Sequence, residues 1–286
     1  WWSAPLLPIY LLIAAGFRVR GKPVVITIHN VISHEQSSLF SRLSGLLYKL
    51  GNHYIVHSQQ NREQLMRLHH IDQGKITVIP HGPLELFTGT MVSRADARSR
   101  LGFSDQHKVI LLFGAIRPYK GIDTALDAIS MLASDMPGIR VLIAGKLWGE
   151  WQPYQQQIDK LGLAEHVSCH LDYIPSAEVR MYFQAADLVL LPYHHFDSQS
   201  GIGSAAIAFE KPLIVSDTGG LPDLVGDERW IVPPKDAGEL ANAIENCLQD
   251  PEQLQQMQKN AGRMREEFSW DAIAEKTMGV YAQVIK

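Results

Sequence analysis

Short apolar segments alternate with helical segments along most of this sequence, and this alternation is its most restrictive feature. Residues 24–28, 109–113 and 140–144 are almost entirely aliphatic or aromatic, and a segment with helical character follows each of them. Parallel strands that are buried on both faces have such continuous apolar runs, because helices cover the sheet on either side. The sequence therefore predicts an α/β fold built on parallel sheets.

The alternation is interrupted once, which divides the chain. Three strands are predicted between residues 22 and 82, residues 83–107 lack the pattern, and it resumes at residue 109. A length of 286 residues is enough for two domains. We predict a first domain with its linker at residues 1–95, a second domain at 96–268, and a C-terminal helix at 269–286 that packs toward the first. Three strands are few for a whole domain, so we expect the first to be incomplete.

The N-terminal segment is apolar but short. Residues 6–17 are too few to span a membrane, which takes about 20 residues, and no basic region precedes them as in a signal peptide. The pattern predicts a buried helix over residues 8–15, capped by Gly16. An alternative is contact with a bilayer surface through Trp1, Trp2, Arg18, Arg20 and Lys22. The chain begins with Trp1 rather than Met, so we expect that its N-terminal part is missing.

Composition excludes several classes of function. The net charge is −4 and no basic stripe with interleaved aromatic residues is present, so nucleic acid is not an expected partner. The two cysteines, Cys169 and Cys247, lack the spacing of a zinc site or a disulfide framework. These features favour a reducing, cytoplasmic location and predict no metal site.

The stretch over residues 196–220 indicates a phosphate-binding loop. A strand leads into residues rich in Ser and Gly, and a helix of small residues follows. Glycines at such a position let backbone N–H groups approach an anion, and the helix N-terminus favours negative charge. Two alternatives remain open: a turn that needs small residues for packing, and a dinucleotide fingerprint formed by Gly201, Gly203 and Ala206 with Asp217.

A second cluster follows the predicted strand over residues 109–113. Arg117 and Lys120 lie in the loop at the carboxyl end of this strand, on the same sheet edge as the Ser- and Gly-rich loop. A planar guanidinium and a compact ammonium together suit a diphosphate, although either cation alone could simply be solvated. The combination predicts a diphosphate site.

Six separated motifs occur in one order and keep register over essentially the whole chain. They lie at residues 29–35, 79–82, 116–121, 198–201, 217–222 and 268–270. With them the sequence resembles a bacterial glycosyltransferase of family 4. The resemblance implies a GT-B fold, with two Rossmann-like domains of which the N-terminal one is incomplete here. It also implies metal-independent transfer, with retention at the anomeric carbon, from a UDP-, GDP-, ADP- or dTDP-linked sugar to a glycan or lipid-linked acceptor.

The resemblance also implies roles for individual residues. Arg117 and Lys120 correspond to the pair on the donor diphosphate, and His29 to a catalytic histidine that faces the transferred sugar. The donor-binding set comprises Gly114, Arg117, Lys120, Tyr173, Ile174, Asp197, Ser198, Gln199, Ser200, Gly201 and Ile202. No cofactor is implied besides the nucleotide sugar, and the expected location is the cytoplasm or the inner face of the membrane.

Two positions depart from the family pattern. Many members carry two glutamates where this sequence has Asp197 and Ala205. An alanine side chain cannot bond a ribose hydroxyl, so the nucleotide is not specified by the sequence. A second hypothesis concerns the chain as it stands: it is a nucleotide-binding module without catalysis, because it lacks the acceptor wall or has degenerated.

Overall fold

A computed structural model describes residues 6–31, 38–82, 92–197 and 199–285 of the chain. Contacts divide these residues into two compact units. The first draws on residues 1–82, 197–199 and 268–286, and the second on residues 83–196 and 200–267. Helix α11, defined below, therefore belongs to the first unit.

The helices and strands alternate as the sequence predicts. In chain order they are α1 (Leu7–Val19), β1 (Val25–Ile28), α2 (Ser38–Leu50), β2 (His53–Val56), α3 (Gln59–His69), β3 (Ile76–Val78), α4 (Arg94–Arg100), β4 (Lys108–Phe113), α5 (Ile122–Leu132), β5 (Ile139–Ala144), α6 (Gln152–Leu161), β6 (Val167–His170), α7 (Ser176–Ala185), β7 (Leu188–Leu191), α8 (Gly201–Ala208), β8 (Leu213–Ser216), β9 (Ile231–Val232), α9 (Ala237–Gln249), α10 (Pro251–Glu267) and α11 (Trp270–Ile285).

The prediction that Gly16 ends the first helix is wrong. Helix α1 continues through Gly16 to Val19, and the chain turns at Gly21, which has a φ of 69°. A glycine stops a helix where it takes the left-handed conformation just beyond the last turn. In this chain Gly21 takes that conformation, whereas Gly16 lies inside the helix.

The first unit contains a three-stranded parallel sheet in the order β1-β2-β3. All four residues of β2 are buried, as expected for the central strand. One core cluster surrounds Tyr54, Val56 and Leu65, and a second joins Ile55 and Ile79 to Val280 of α11. The last helix of the chain thus packs on the sheet formed by its first strands.

The second unit contains a six-stranded parallel sheet in the order β6-β5-β4-β7-β8-β9. Strands β7 and β8 are buried throughout, and the main core gathers residues of β4, β5, α5 and α9. The strand order reverses between β4 and β7. In open parallel sheets the loops that leave such a switch point form the ligand crevice.

In the part of the chain that the structure describes, no helix is both long enough and apolar enough to span a bilayer.

Candidate functional site

The loop after β4 and the start of α8 meet at the switch point of the second sheet. Gly114 follows β4 with a φ of 95°, and a Cβ placed there would lie 2.9 Å from Cδ1 of Ile202. Only glycine permits this approach without displacing its neighbour. The structure therefore brings together two residues predicted to bind the donor.

Lys120 lies at the same edge, at the end of a short 3₁₀ helix over Pro118–Lys120. Its Nζ donates a hydrogen bond to the hydroxyl of Tyr193, the second residue after β7. Burial, followed by the nearby Arg117 charge, lowers the pKa of Lys120 to about 7. A desolvated ammonium at a switch point is suited to an anionic ligand.

Ser200 caps α8 at this edge. Its Oγ accepts a hydrogen bond of 3.3 Å from the backbone N–H of Gly203 and lies 3.3 Å from the Tyr193 hydroxyl. Gly201 and Ile202 are the first two residues of the helix. The predicted Ser- and Gly-rich loop thus ends in a helix N-terminus, which favours anion binding.

Arg117 has a different environment. Its guanidinium carbon lies 4.8 Å from the ring centroid of Trp148, whose side chain is 52% exposed. The N–H of Lys120 donates a backbone hydrogen bond of 3.0 Å to the carbonyl of Arg117. Among the described residues no side-chain hydrogen bond links Arg117 to Lys120 or Ser200. The structure places both predicted cations in the loop after β4, but only Lys120 joins the hydrogen-bonded group.

Tyr173 and Ile174, predicted to hold the base, lie in the segment between β6 and α7. The Tyr173 side chain is 69% exposed, and Ile174 is partly buried. An exposed aromatic ring beyond the carboxyl end of a strand is available for stacking.

Two further predicted donor residues, Asp197 and Gln199, lie between β7 and α8 and belong to the first unit. The Asp197 carbonyl accepts a hydrogen bond of 3.3 Å from Nδ2 of Asn61, and Oε1 of Gln199 accepts one from the backbone N–H of His81. Ser198 lies outside the described residues. Ala205 is fully buried in α8.

The carboxyl edge of the first sheet carries three histidines. His29 directly follows β1, His57 directly follows β2, and His81 comes shortly after β3. The rings of His29 and His57 are 4.5 Å apart, and those of His57 and His81 are 6.0 Å apart. Burial, followed by the neighbouring His57, lowers the pKa of His29 to about 4, and burial also lowers the pKa of His57. Both rings are therefore neutral at pH 7 and can hydrogen-bond to hydroxyl groups.

Two residues at these edges, Tyr193 and His57, have no role predicted from the sequence. Tyr193 is fully buried, which raises its pKa well above the usual range, so its hydroxyl stays protonated. His57 Nδ1 lies 2.9 Å from the carbonyl of Ile79. Their positions in the sequence could have indicated a role. Each residue comes within two residues of the end of an apolar strand, and ligands bind at the carboxyl ends of strands in parallel sheets.

Within the described ranges, no three His, Cys, Asp or Glu side chains are grouped so that they could hold a metal ion.

Two family models cover most of the chain. Residues 93–264 match the model described as glycosyl transferases group 1, and residues 3–82 match the model described as glycosyltransferase family 4. The chain belongs to the group 1 glycosyl transferases. The family 4 resemblance predicted from the six motifs is confirmed.

The curated relatives are similar in sequence but longer. D-inositol 3-phosphate glycosyltransferase of Segniliparus rotundus is 27% identical over 286 residues, a match that covers 93% of this chain and 62% of the relative. The enzyme of the same name from Mycobacterium marinum is 29% identical over 243 residues, covering 81% of this chain and 50% of the relative. The chain thus spans between about half and about three fifths of the length of these relatives.

A solved structure shows the same architecture. HepE of Anabaena, in complex with UDP, superposes with a TM-score of 0.80 at 21% identity, covering 97% of this chain and 77% of HepE. The predicted GT-B type α/β fold with parallel sheets is confirmed.

Proposed function

We propose that the chain is the donor-binding part of a glycosyltransferase that uses a nucleotide sugar. The observation that carries this proposal is the buried Lys120 ammonium at the switch point, hydrogen-bonded to Tyr193 beside the capped N-terminus of α8. Membership in the group 1 glycosyl transferases supports it. The complexes of HepE with UDP and with UDP-glucose support the same donor class.

In the proposed reaction the sugar leaves its nucleotide diphosphate and joins a hydroxyl of a glycan or lipid-linked acceptor, with retention at the anomeric carbon. Negative charge develops on the leaving diphosphate as the bond to the sugar breaks. Lys120, Arg117 and the N–H groups over residues 198–202 would stabilise this charge, so the reaction needs no metal. The leaving phosphate would itself accept the proton of the acceptor hydroxyl.

Other predicted residues would bind the uncharged parts of the donor. His29 is neutral at pH 7, because burial and His57 lower its pKa to about 4, so it would hydrogen-bond to hydroxyls of the transferred sugar. Tyr173 and Ile174 would contact the base, and Asp197 and Gln199 the sugar. Ala205 is fully buried, so the ribose would be bound by other groups.

The dinucleotide alternative fits the structure less well. Its fingerprint glycines should directly follow their strand, whereas β7 ends at Leu191 and α8 begins only at Gly201.

The experiment that tests the proposal is a panel of UDP, GDP, ADP and dTDP sugars, read by thermal shift. A ligand at 100 times its Kd should stabilise the protein by about 2.7 kcal/mol. If no nucleotide of the panel shifts the transition, the proposal is wrong. Binding without sugar transfer to any glycan or lipid acceptor would support the nucleotide-binding module instead.

The proposed site of action is the cytoplasm, at the inner face of the membrane. Leu12 and Phe17 of α1 are 74% and 52% exposed, and Arg18, Arg20 and Lys22 are exposed close by. Apolar and basic side chains together suit an anionic lipid surface. Cosedimentation with anionic vesicles, but not with neutral ones, is the expected result, and no cosedimentation with either would contradict it.

A further inference from the structure

Tyr193 is buried directly beside Lys120. The Nζ of Lys120 donates to the Tyr193 hydroxyl and lies 4.1 Å from the centroid of its ring. Tyr119 and Phe196 pack edge-on against the Tyr193 ring, with centroids 5.6 Å and 5.3 Å away. A phenol enclosed in this way has a fixed position, so its oxygen is a fixed acceptor for the ammonium.

The hydrogen bonds continue from Tyr193 to helix α8. The Tyr193 hydroxyl lies 3.3 Å from Oγ of Ser200, and that oxygen caps α8 by accepting from the N–H of Gly203. One row of polar groups therefore joins the ammonium in the loop after β4 to the N-terminus of the helix after β7. Both loops leave the switch point of the six-stranded sheet, where ligands bind.

We propose that Tyr193 is a positioning residue for diphosphate binding, and that its hydroxyl holds the Lys120 ammonium in place beside the N-terminus of α8. This inference rests on the proposed function and adds a residue to its donor site. A lysine side chain has four rotatable carbon–carbon bonds in its stem, and fixing the ammonium before binding removes the cost of ordering it. The lysine side chain is otherwise mobile. The Tyr193 hydroxyl would thus hold its positive charge beside the N-terminus of α8, where the diphosphate binds.

The test is the variant Tyr193→Phe in the whole chain, which keeps the ring and removes only the oxygen. The probes are UDP and inorganic pyrophosphate, with Kd measured by calorimetry between pH 6 and pH 9. We expect both ligands to bind about tenfold more weakly at pH 7, which corresponds to about 1.4 kcal/mol. The pH above which affinity declines should also move down, because the charged form of Lys120 loses an acceptor while Arg117 still repels it.

The matched control is Tyr119→Phe. The Tyr119 ring also lies near the Lys120 ammonium, at 5.6 Å, but its hydroxyl forms no hydrogen bond to Lys120 within the described structure. This control should bind UDP and pyrophosphate as the unchanged chain does. A double-mutant cycle adds Lys120→Met, in whose background Tyr193→Phe should have no further effect on affinity.

Three outcomes separate the possibilities. If the unchanged chain binds neither UDP nor pyrophosphate, the proposed function is wrong and the inference that rests on it is overturned with it. If the unchanged chain binds and Tyr193→Phe lowers only the melting temperature, with affinity and pH profile unchanged, the inference is wrong. If Tyr193→Phe does not fold, 4-fluorophenylalanine at position 193 replaces it. Its fluorine does not ionise and is a much weaker acceptor than a hydroxyl, so unchanged affinity there overturns the inference and weaker binding supports it.

Discussion

Lys120 shows how a single side chain acquires its chemistry from its surroundings. An exposed lysine has a pKa near 10.5, whereas burial and the Arg117 charge lower the pKa of Lys120 to about 7. Near neutral pH the unliganded side chain is therefore divided between its neutral and charged forms. A bound diphosphate favours the charged form, so binding is linked to proton uptake.

The pH dependence of nucleotide binding follows from this linkage. Well below pH 7 Lys120 is already protonated, so this group leaves the affinity for UDP unchanged there. Above pH 7 a proton must be taken up on binding, and the affinity should fall by up to about tenfold per pH unit until the pKa of the liganded state is reached. Calorimetry from pH 6 to pH 9 measures the slope.

Two variants at position 120 serve as comparisons. In Lys120→Arg the side chain keeps its charge at every pH in this range, so the decline of UDP affinity above pH 7 should disappear. This comparison separates titration of the protein from titration of the nucleotide. Lys120→Ala should lower sugar transfer by about 10²–10³, the effect of losing one charge-stabilising donor. An identical slope in Lys120→Arg would show that another group titrates.

At the scale of the element, the loop between β4 and α5 has its shape because of one glycine. Gly121 has a φ of 67°, and a Cβ there would lie 1.8 Å from the carbonyl oxygen of Pro192, just after β7. The loop that carries Lys120 therefore lies directly against the strand end that carries Tyr193. A side chain at residue 121 would force the two apart.

Gly121→Ala should consequently affect both stability and binding. Gly162 is the matched control, because it has a φ of 68° with no atom within 4 Å of its added Cβ. Gly162→Ala should lower the free energy of unfolding only by the backbone strain, about 1–2 kcal/mol, and should leave the UDP affinity unchanged. Gly121→Ala should destabilise more and weaken UDP binding, as measured by thermal unfolding and calorimetry. Equal effects of the two variants on stability and binding would contradict this account of the loop.

At the scale of the whole molecule, the first unit is assembled from distant parts of the chain. Val280 of α11 packs with Ile55 of β2 and with Ile79, although more than 200 residues separate them in sequence. The same unit includes residues 197–199, which follow β7 of the second sheet. The stability of the first sheet therefore depends on the C-terminal helix.

Val280→Ala should destabilise the first unit by about 2 kcal/mol, since Val280 is only 4% exposed and its loss leaves a cavity. Met278, on the same helix and 63% exposed, is the control, and its change to Ala should alter stability by less than about 0.5 kcal/mol. Amide hydrogen exchange should accelerate in β2 for Val280→Ala while β5 stays protected. Equal acceleration in β5 would show that α11 stabilises both units alike.

The sequence alone determined the class of fold and the candidate loops. Buried parallel strands need continuous apolar residues, and the crossovers between them need helices. The alternation of strands and helices could therefore be predicted from the local sequence pattern. The same pattern predicted the candidate loops, because each loop follows a strand that the pattern identifies. These loops carry the cations after β4 and the small residues at the start of α8.

Only the tertiary structure decided which of these residues meet. Tyr193 and Lys120 are 73 positions apart, so their hydrogen bond depends on β7 lying beside β4, which no local pattern specifies. The depressed pKa of Lys120 likewise arises from burial, a property of the packed sheet edge. Strand order and desolvation are long-range consequences of folding, whereas hydrophobic periodicity is a local one.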